Sequence, residues 1–169
     1  MKISYQILDS KRPSMLSVGE IKKFLRIDHD YDNSILDNLI STSISSAENF
    51  VRYVIPEDTI SINIDNVSQV IELPVLPVNK IISVTGNYDT EEKINVKYTL
   101  FGPEKSHLRL SVDSNIRNIN VTYVAGGNIS HQVLYGIMLH VAEMYDAPEK
   151  ITLSNAIKDL YKPYRRMIL

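Results

Sequence analysis

Apolar residues recur at intervals of three and four in two regions of the chain, and at intervals of two in the region between them. Residues 1–16 show no clear period, and Pro13 argues against a helix there. Ser17-Val18-Gly19-Glu20 has the form of a capping box, followed by Ile21, Phe24 and Leu25. This predicts a helix of two to three turns. A longer helix is predicted from about Asp32 to Val54, with Leu36, Leu39, Ile40, Ile44, Ala47, Val51 and Val54 on one face. Its serines are poor helix formers, so packing must hold it.

From Thr59 to Val124 the period changes to two, as in Ile60, Ile62 and Ile64. Strands are predicted at 59–65, 69–73, 80–85, 93–99, 106–112 and 118–124, separated by prolines and glycines. After Gly126-Gly127 the helical period returns. Ser130 caps a helix with Val133, Leu134, Ile137, Met138, Val141, Ala142 and Tyr145 over a wide apolar arc, expected to be central. A last helix covers about 152–160, with Leu153, Ile157 and Leu160 on one face. The expected fold is α+β: a small bundle of about four helices with a central antiparallel β insertion of five to six short strands. It is read as one domain over 1–169, with helices at about 17–55, β region at about 59–125, helices at about 130–161 and a tail at 161–169.

Composition narrows the function. Eighteen basic and twenty acidic side chains leave a net charge of −2, which argues against a dedicated duplex binder. The absence of cysteine excludes disulfides, thiolate catalysis and Cys-containing zinc sites. Polar residues break the N-terminus before a signal core can form. The most apolar stretch, Leu134 to Leu139, is far shorter than the ~20 residues that span a bilayer. A soluble protein made and kept inside the cell, without membrane association, is expected.

Little catalytic chemistry is legible. Asp28-His29-Asp30-Tyr31-Asp32 begins like a calcium loop, but Asn33 and Leu39 stand where such a loop needs glycine and glutamate. A polar turn leading into the next helix is the better reading. His140 and Glu143 have a metal-ligand spacing without a second histidine, and a hydrogen-bonded core histidine is the better reading. There is no nucleophile elbow, Walker loop or dinucleotide fingerprint. Gly126-Gly127, with no lysine after it, reads as a strand-to-helix turn rather than an anion cradle. No enzyme, cofactor or metal is expected.

The C-terminal segment is the one feature that folding alone explains poorly. Lys158, Lys162, Arg165 and Arg166 face only Asp159, with Tyr161, Tyr164, Met167, Ile168 and Leu169 interleaved and Pro163 stopping the helix. Arginine and tyrosine dominate interface hot spots. Two readings stay open: a packed terminal helix with a solvated basic end, or a docking tail that orders on a partner.

Three stretches, taken in order, resemble the head–tail connector (adaptor) proteins of long-tailed bacteriophages and their prophage and gene-transfer-agent relatives. The first is Leu16-Ser17-Val18-Gly19-Glu20-Ile21-Lys22-Lys23-Phe24-Leu25-Arg26-Ile27-Asp28, followed by Asp32, Leu36, Leu39 and Ile40. The second is Leu73-Pro74-Val75-Leu76-Pro77-Val78-Asn79-Lys80-Ile81-Ile82-Ser83-Val84. The third runs from Val121-Thr122-Tyr123-Val124-Ala125-Gly126-Gly127 through Tyr135–Tyr145 to Tyr164-Arg165-Arg166. The chain departs from the pattern at His131-Gln132, where the family often has proline. It departs again at Asp146-Ala147-Pro148, where the family often has arginine.

The resemblance implies a non-enzymatic structural protein without cofactors. It would form a ring, usually dodecameric, beneath the portal, extend the DNA channel and meet a neck or tail completion protein. DNA would only pass through, and the isolated chain could be monomeric. Assembly is expected in the bacterial cytoplasm, and the final location in the neck of the particle. Tyr161, Lys162, Pro163, Tyr164, Arg165 and Arg166 are the expected portal-docking residues, the arginines pairing with carboxylates or carbonyls. The competing reading is a cytosolic protein-binding module or accessory subunit of similar architecture.

Overall fold

The computed structural model describes residues 2–65, 68–87, 93–111, 116 and 118–166. They form two compact units, Met1–Ser10 with Pro56–Gly127 and Lys11–Ile55 with Asn128–Leu169. The first is β and the second α, so the class is α+β.

The β unit contains eight strands: β1 Lys2–Ser10, β2 Asp58–Asp65, β3 Val70–Glu72, β4 Val78–Asn87, β5 Lys93–Asn95, β6 Lys97–Phe101, β7 His107–Ser111 and β8 Asn118–Ala125. They make two antiparallel sheets, β1-β2-β8-β4-β5 and β3-β7-β6. Alternation in β2 has the expected result: Ile60, Ile62 and Ile64 are completely buried while Ser61 and Asn63 point away. Opposite them on β8, Tyr123, Val121 and Ile119 continue the core. The Tyr123 hydroxyl accepts the Val75 amide at 3.2 Å, and burial pushes its pKa up to about 12.

Two expectations for this unit are corrected. Residues 2–10, expected to show no clear period, form a strand, and Ile3, Tyr5 and Ile7 alternate along it. A register shift between Ile7 and Asp9 interrupts the alternation, and most of the strand is exposed. The single strand expected at 93–99 is two, β5 in the larger sheet and β6 in the smaller. Between them buried Val96 donates its amide to the Val84 carbonyl at 2.9 Å. No glycine or proline marks this crossing. Val112, expected at the end of a strand, lies outside the described residues. Gly126 and Gly127 take φ of +75° and +85° and close β8, the turn role expected of them.

The α unit comprises α1 Arg12–Met15, α2 Val18–Leu25, α3 Asn33–Val51, α4 His131–Asp146 and α5 Asn155–Tyr161. Pro13 does not prevent a helical turn at α1, because it stands in the first two positions, where no amide partner is needed. Both halves of the capping box at α2 form: the Glu20 amide donates to Ser17 Oγ at 3.2 Å, and the Ser17 amide donates to Glu20 Oε2 at 2.8 Å.

In α3 the hydroxyls of Thr42, Ser45 and Ser46 bond back to the carbonyls four residues earlier. Ser43 instead donates to the Ile137 carbonyl of α4 at 3.0 Å, inside the core. That core joins Leu36, Ile40, Ile44, Ala47 and Val51 of α3 to Val133, Ile137 and Val141 of α4 and to Ile157 and Tyr161 of α5. The wide apolar arc of α4 thus serves both neighbours. No helix among the described residues is long and apolar enough to cross a membrane.

Candidate docking site

The two regions weighed for metal binding are occupied structurally. Asp30 accepts from Lys22 Nζ at 2.5 Å and Asn33 Nδ2 at 3.3 Å, and this pairing holds its carboxyl below its ordinary value. Asp32 accepts the Tyr145 hydroxyl at 2.6 Å. The segment is a polar turn tied to its neighbours. His140 is buried and its Nε2–H donates to the Ile151 carbonyl at 3.2 Å, while Glu143 accepts the Ser154 hydroxyl at 2.9 Å. Among the described residues no group of three or more histidine, aspartate or glutamate side chains is placed to hold a metal ion.

The C-terminal segment divides into a buried and an exposed part. Ser154 starts α5 by accepting the Ile157 amide at 3.4 Å. Two turns after Ser154, Tyr161 inserts its ring into the core, 6.0 Å from the Phe50 ring centroid and against Gly136 of α4. Tyr161 is completely buried. It therefore leaves the set of expected surface contacts, because its side chain fastens α5 to the bundle. The signal was present in the four-residue spacing from Ile157, which puts both on one helix face.

Beyond it, Lys162–Tyr164 form a 3₁₀ turn around Pro163. The chain then folds back along the end of α3: the Arg166 amide donates to the Val51 carbonyl at 2.9 Å. Tyr164 rests half-buried on the bundle and its hydroxyl donates to Gln132 Oε1 at 2.7 Å. The Arg165 guanidinium lies 5.2 Å over the Phe50 ring. Lys162 pairs with Asp159 at 2.6 Å on the surface.

Through Arg166 this segment packs on its own bundle, and it exposes a short basic ledge of Lys162, Pro163 and Arg165 beside half-buried Tyr164 and Arg166. Met167, Ile168 and Leu169, the apolar end of the expected tail, lie outside the described residues. A ledge of this kind can offer guanidinium and ammonium donors to carboxylates or carbonyls, with one aromatic edge for packing.

Comparison with known proteins bears on the whole chain. A chain from the neck of a native gene transfer agent particle, computed with C12 symmetry, superposes with a TM-score of 0.74 at 11% identity, covering 98% of this chain and 97% of that one. A chain from the neck of an empty gene transfer agent particle, computed with C6 symmetry, gives 0.73 at 12% identity, with coverage of 98% and 97%. A third, from the virion of a native gene transfer agent particle, gives 0.72 at 12% identity over 98% and 96%. At such identities these matches establish a shared fold. Among curated protein sequences none matches. Residues 15–102, more than half of the chain and running from the end of α1 through β6, match the family described as phage gp6-like head–tail connector protein. The chain belongs to that family of connector proteins.

Proposed function

We propose that the chain is a non-enzymatic head–tail adaptor, assembling as a ring of twelve copies beneath the portal of a phage or phage-like particle. The family match over residues 15–102 carries this reading. The similar fold of chains from gene transfer agent necks, computed with C6 and C12 symmetry, supports a ring in the same position. The ring extends the DNA channel and presents a platform to a neck or tail completion protein. A net charge of −2 suits a channel through which DNA passes without adhering. Assembly takes place in the bacterial cytoplasm before the particle is complete.

The portal contact is assigned to Lys162, Pro163, Tyr164, Arg165 and Arg166. Their basic and aromatic side chains supply the charge-assisted bonds and packing area that a protein interface uses. Tyr161 supports them from below. The test is binding to the portal protein of the same particle, with the full chain and with a chain truncated after Tyr164, which spares the Tyr161 anchor. Loss of portal binding in a truncated chain that still folds supports the assignment; unchanged binding removes Arg165 and Arg166 from it.

A further inference from the structure

The larger sheet ends on one side in β1, and among the described residues no strand pairs with its outer edge. Ile3, Tyr5 and Ile7 stand opposite Ile64, Ile62 and Ile60. Cross-strand partners share a face, so the three project on the side that the β2 isoleucines bury completely. The cover does not reach β1: Tyr5 is 60% exposed, Ile7 50%, and Leu8, at the register shift, 54%. The stretch Ile3-Ser4-Tyr5-Gln6-Ile7-Leu8 contains no charge and no proline. Edge strands are ordinarily protected by charge, proline, brevity or a bulge, and from Ile3 to Ile7 this one has none of these.

The other side of the same sheet carries a second open edge. Strand β5 pairs with β4 only at Thr85–Asn87, so among the described residues Val78, Lys80, Ile81 and Ser83 of β4 pair with β8 alone, with register shifts at Asn79 and Ile82. Ile82, on this edge, is 53% exposed.

We infer that β1 of one copy pairs with Val78–Ser83 of β4 in the next, joining the sheets of neighbouring subunits. Strand directions fit. The order β1-β2-β8-β4 is antiparallel at each step, so β1 and β4 run in opposite directions and a copy set edge to edge continues the alternation. Because the two edges differ, the contact is heterologous. Such contacts propagate to a ring instead of stopping at a dimer. Pairing of β1 with β1 would stop at two and leave β4 open. The inference rests on the ring reading above and supplies the two complementary surfaces that reading requires.

The chain has no cysteine of its own, so introduced ones report without background. Gln6→Cys copies are mixed with Ile82→Cys copies and treated with a short bismaleimide. The expected product is a cross-linked pair at least about tenfold more abundant in the mixture than in either variant alone. Equal cross-linking within Gln6→Cys copies, or no product in the mixture at high protein concentration, overturns the inference. A second variant, Tyr5→Lys with Ile7→Lys, is followed by sedimentation after its circular dichroism is checked against the parent chain. Self-association weakened by about tenfold or more agrees with the inference; association equal to the parent chain contradicts it. A chain that binds the portal but gives no β1–β4 product loses this inference and keeps the adaptor reading. A chain that gives the product but ignores the portal does the reverse.

Discussion

Gly136 of α4 and Tyr161 of α5 are fitted to one another: a Cβ at position 136 would overlap Cε1 of the tyrosine and lie 3.0 Å from its Cζ and Oη. Glycine inside a helix ordinarily costs about 1 kcal/mol relative to alanine, so replacing it would be stabilising if there were room. Here there is none, and the ring is completely buried. Gly136→Ala should therefore destabilise the α unit by about 1–3 kcal/mol, the range for overpacking. Tyr161→Ala should cost about 3–5 kcal/mol. Tyr161→Phe should be nearly neutral, because the buried hydroxyl has no hydrogen-bond partner among the described residues. Denaturant melts of the three variants check the set; a stabilised Gly136→Ala would show that the two helices pack differently.

The capping box predicts a cost and a pH dependence. Ser17→Ala should destabilise α2 by about 1 kcal/mol. Hydrogen bonds from the Ser17 hydroxyl and amide hold the Glu20 carboxyl below its ordinary 4.5. A depressed carboxylate contributes stability that is fully present above the unfolded value and is lost as pH falls through the folded one. The parent chain should lose this increment on acidification below about 4.5, and the variant should have less to lose. Carboxyl NMR titration of Glu20 reads it directly, with the midpoint rising in Ser17→Ala.

His140 predicts acid sensitivity in a higher window. Burial lowers its pKa below 6.5, against smaller opposing effects of the Ile151 carbonyl and Glu143. With Nε2–H donating to Ile151, Nδ1 of the neutral ring is a buried acceptor with no partner among the described residues. Protonating it places an unpaired N–H and a charge in the core. A depressed histidine contributes stability present above the unfolded value and lost as pH falls through the folded one. Stability should therefore decline below about pH 6.5, and His140→Gln should flatten that decline. An NMR midpoint for His140 at or above 6.5 would contradict the burial argument.

Much of the fold was legible because the decisive signals were local. Ser17 and Glu20 lie three residues apart and cap each other; Ile60, Ile62 and Ile64 alternate without interruption. The failures were non-local. Strand β1 alternates at Ile3, Tyr5 and Ile7, a run cut short by the shift at Leu8, and its apolar residues are matched to β2, over fifty residues away. The crossing at Val96 depends on Val84 and carries no turn residue. At the C-terminal segment, residue composition marked the basic ledge and the spacing from Ile157 put Tyr161 on the inner face, yet the room for its ring is made by Gly136, which the pairing of α4 with α5 reveals. The family pattern, spread over short motifs in fixed order, survived where single motifs said little.

The exposed basic ledge predicts a separation of stability from docking. Among the described residues the exposed Arg165 side chain makes a cation–π contact with Phe50 and no ion pair, so Arg165→Ala should cost less than about 1 kcal/mol of stability. If Arg165 meets the portal, the same substitution should weaken portal binding by about tenfold or more, with a salt dependence reduced from that of the parent chain. Equal binding by the two chains would place the contact elsewhere.

The central claim is a ring-forming connector, and the most direct measurement is the light-scattering mass of the portal protein before and after saturation with this chain. The account predicts an increment of about twelve chain masses per portal ring, reached in one step and absent when the chain is truncated after Tyr164. No increment under several salt conditions, or a stoichiometry unrelated to the portal's symmetry, would contradict it.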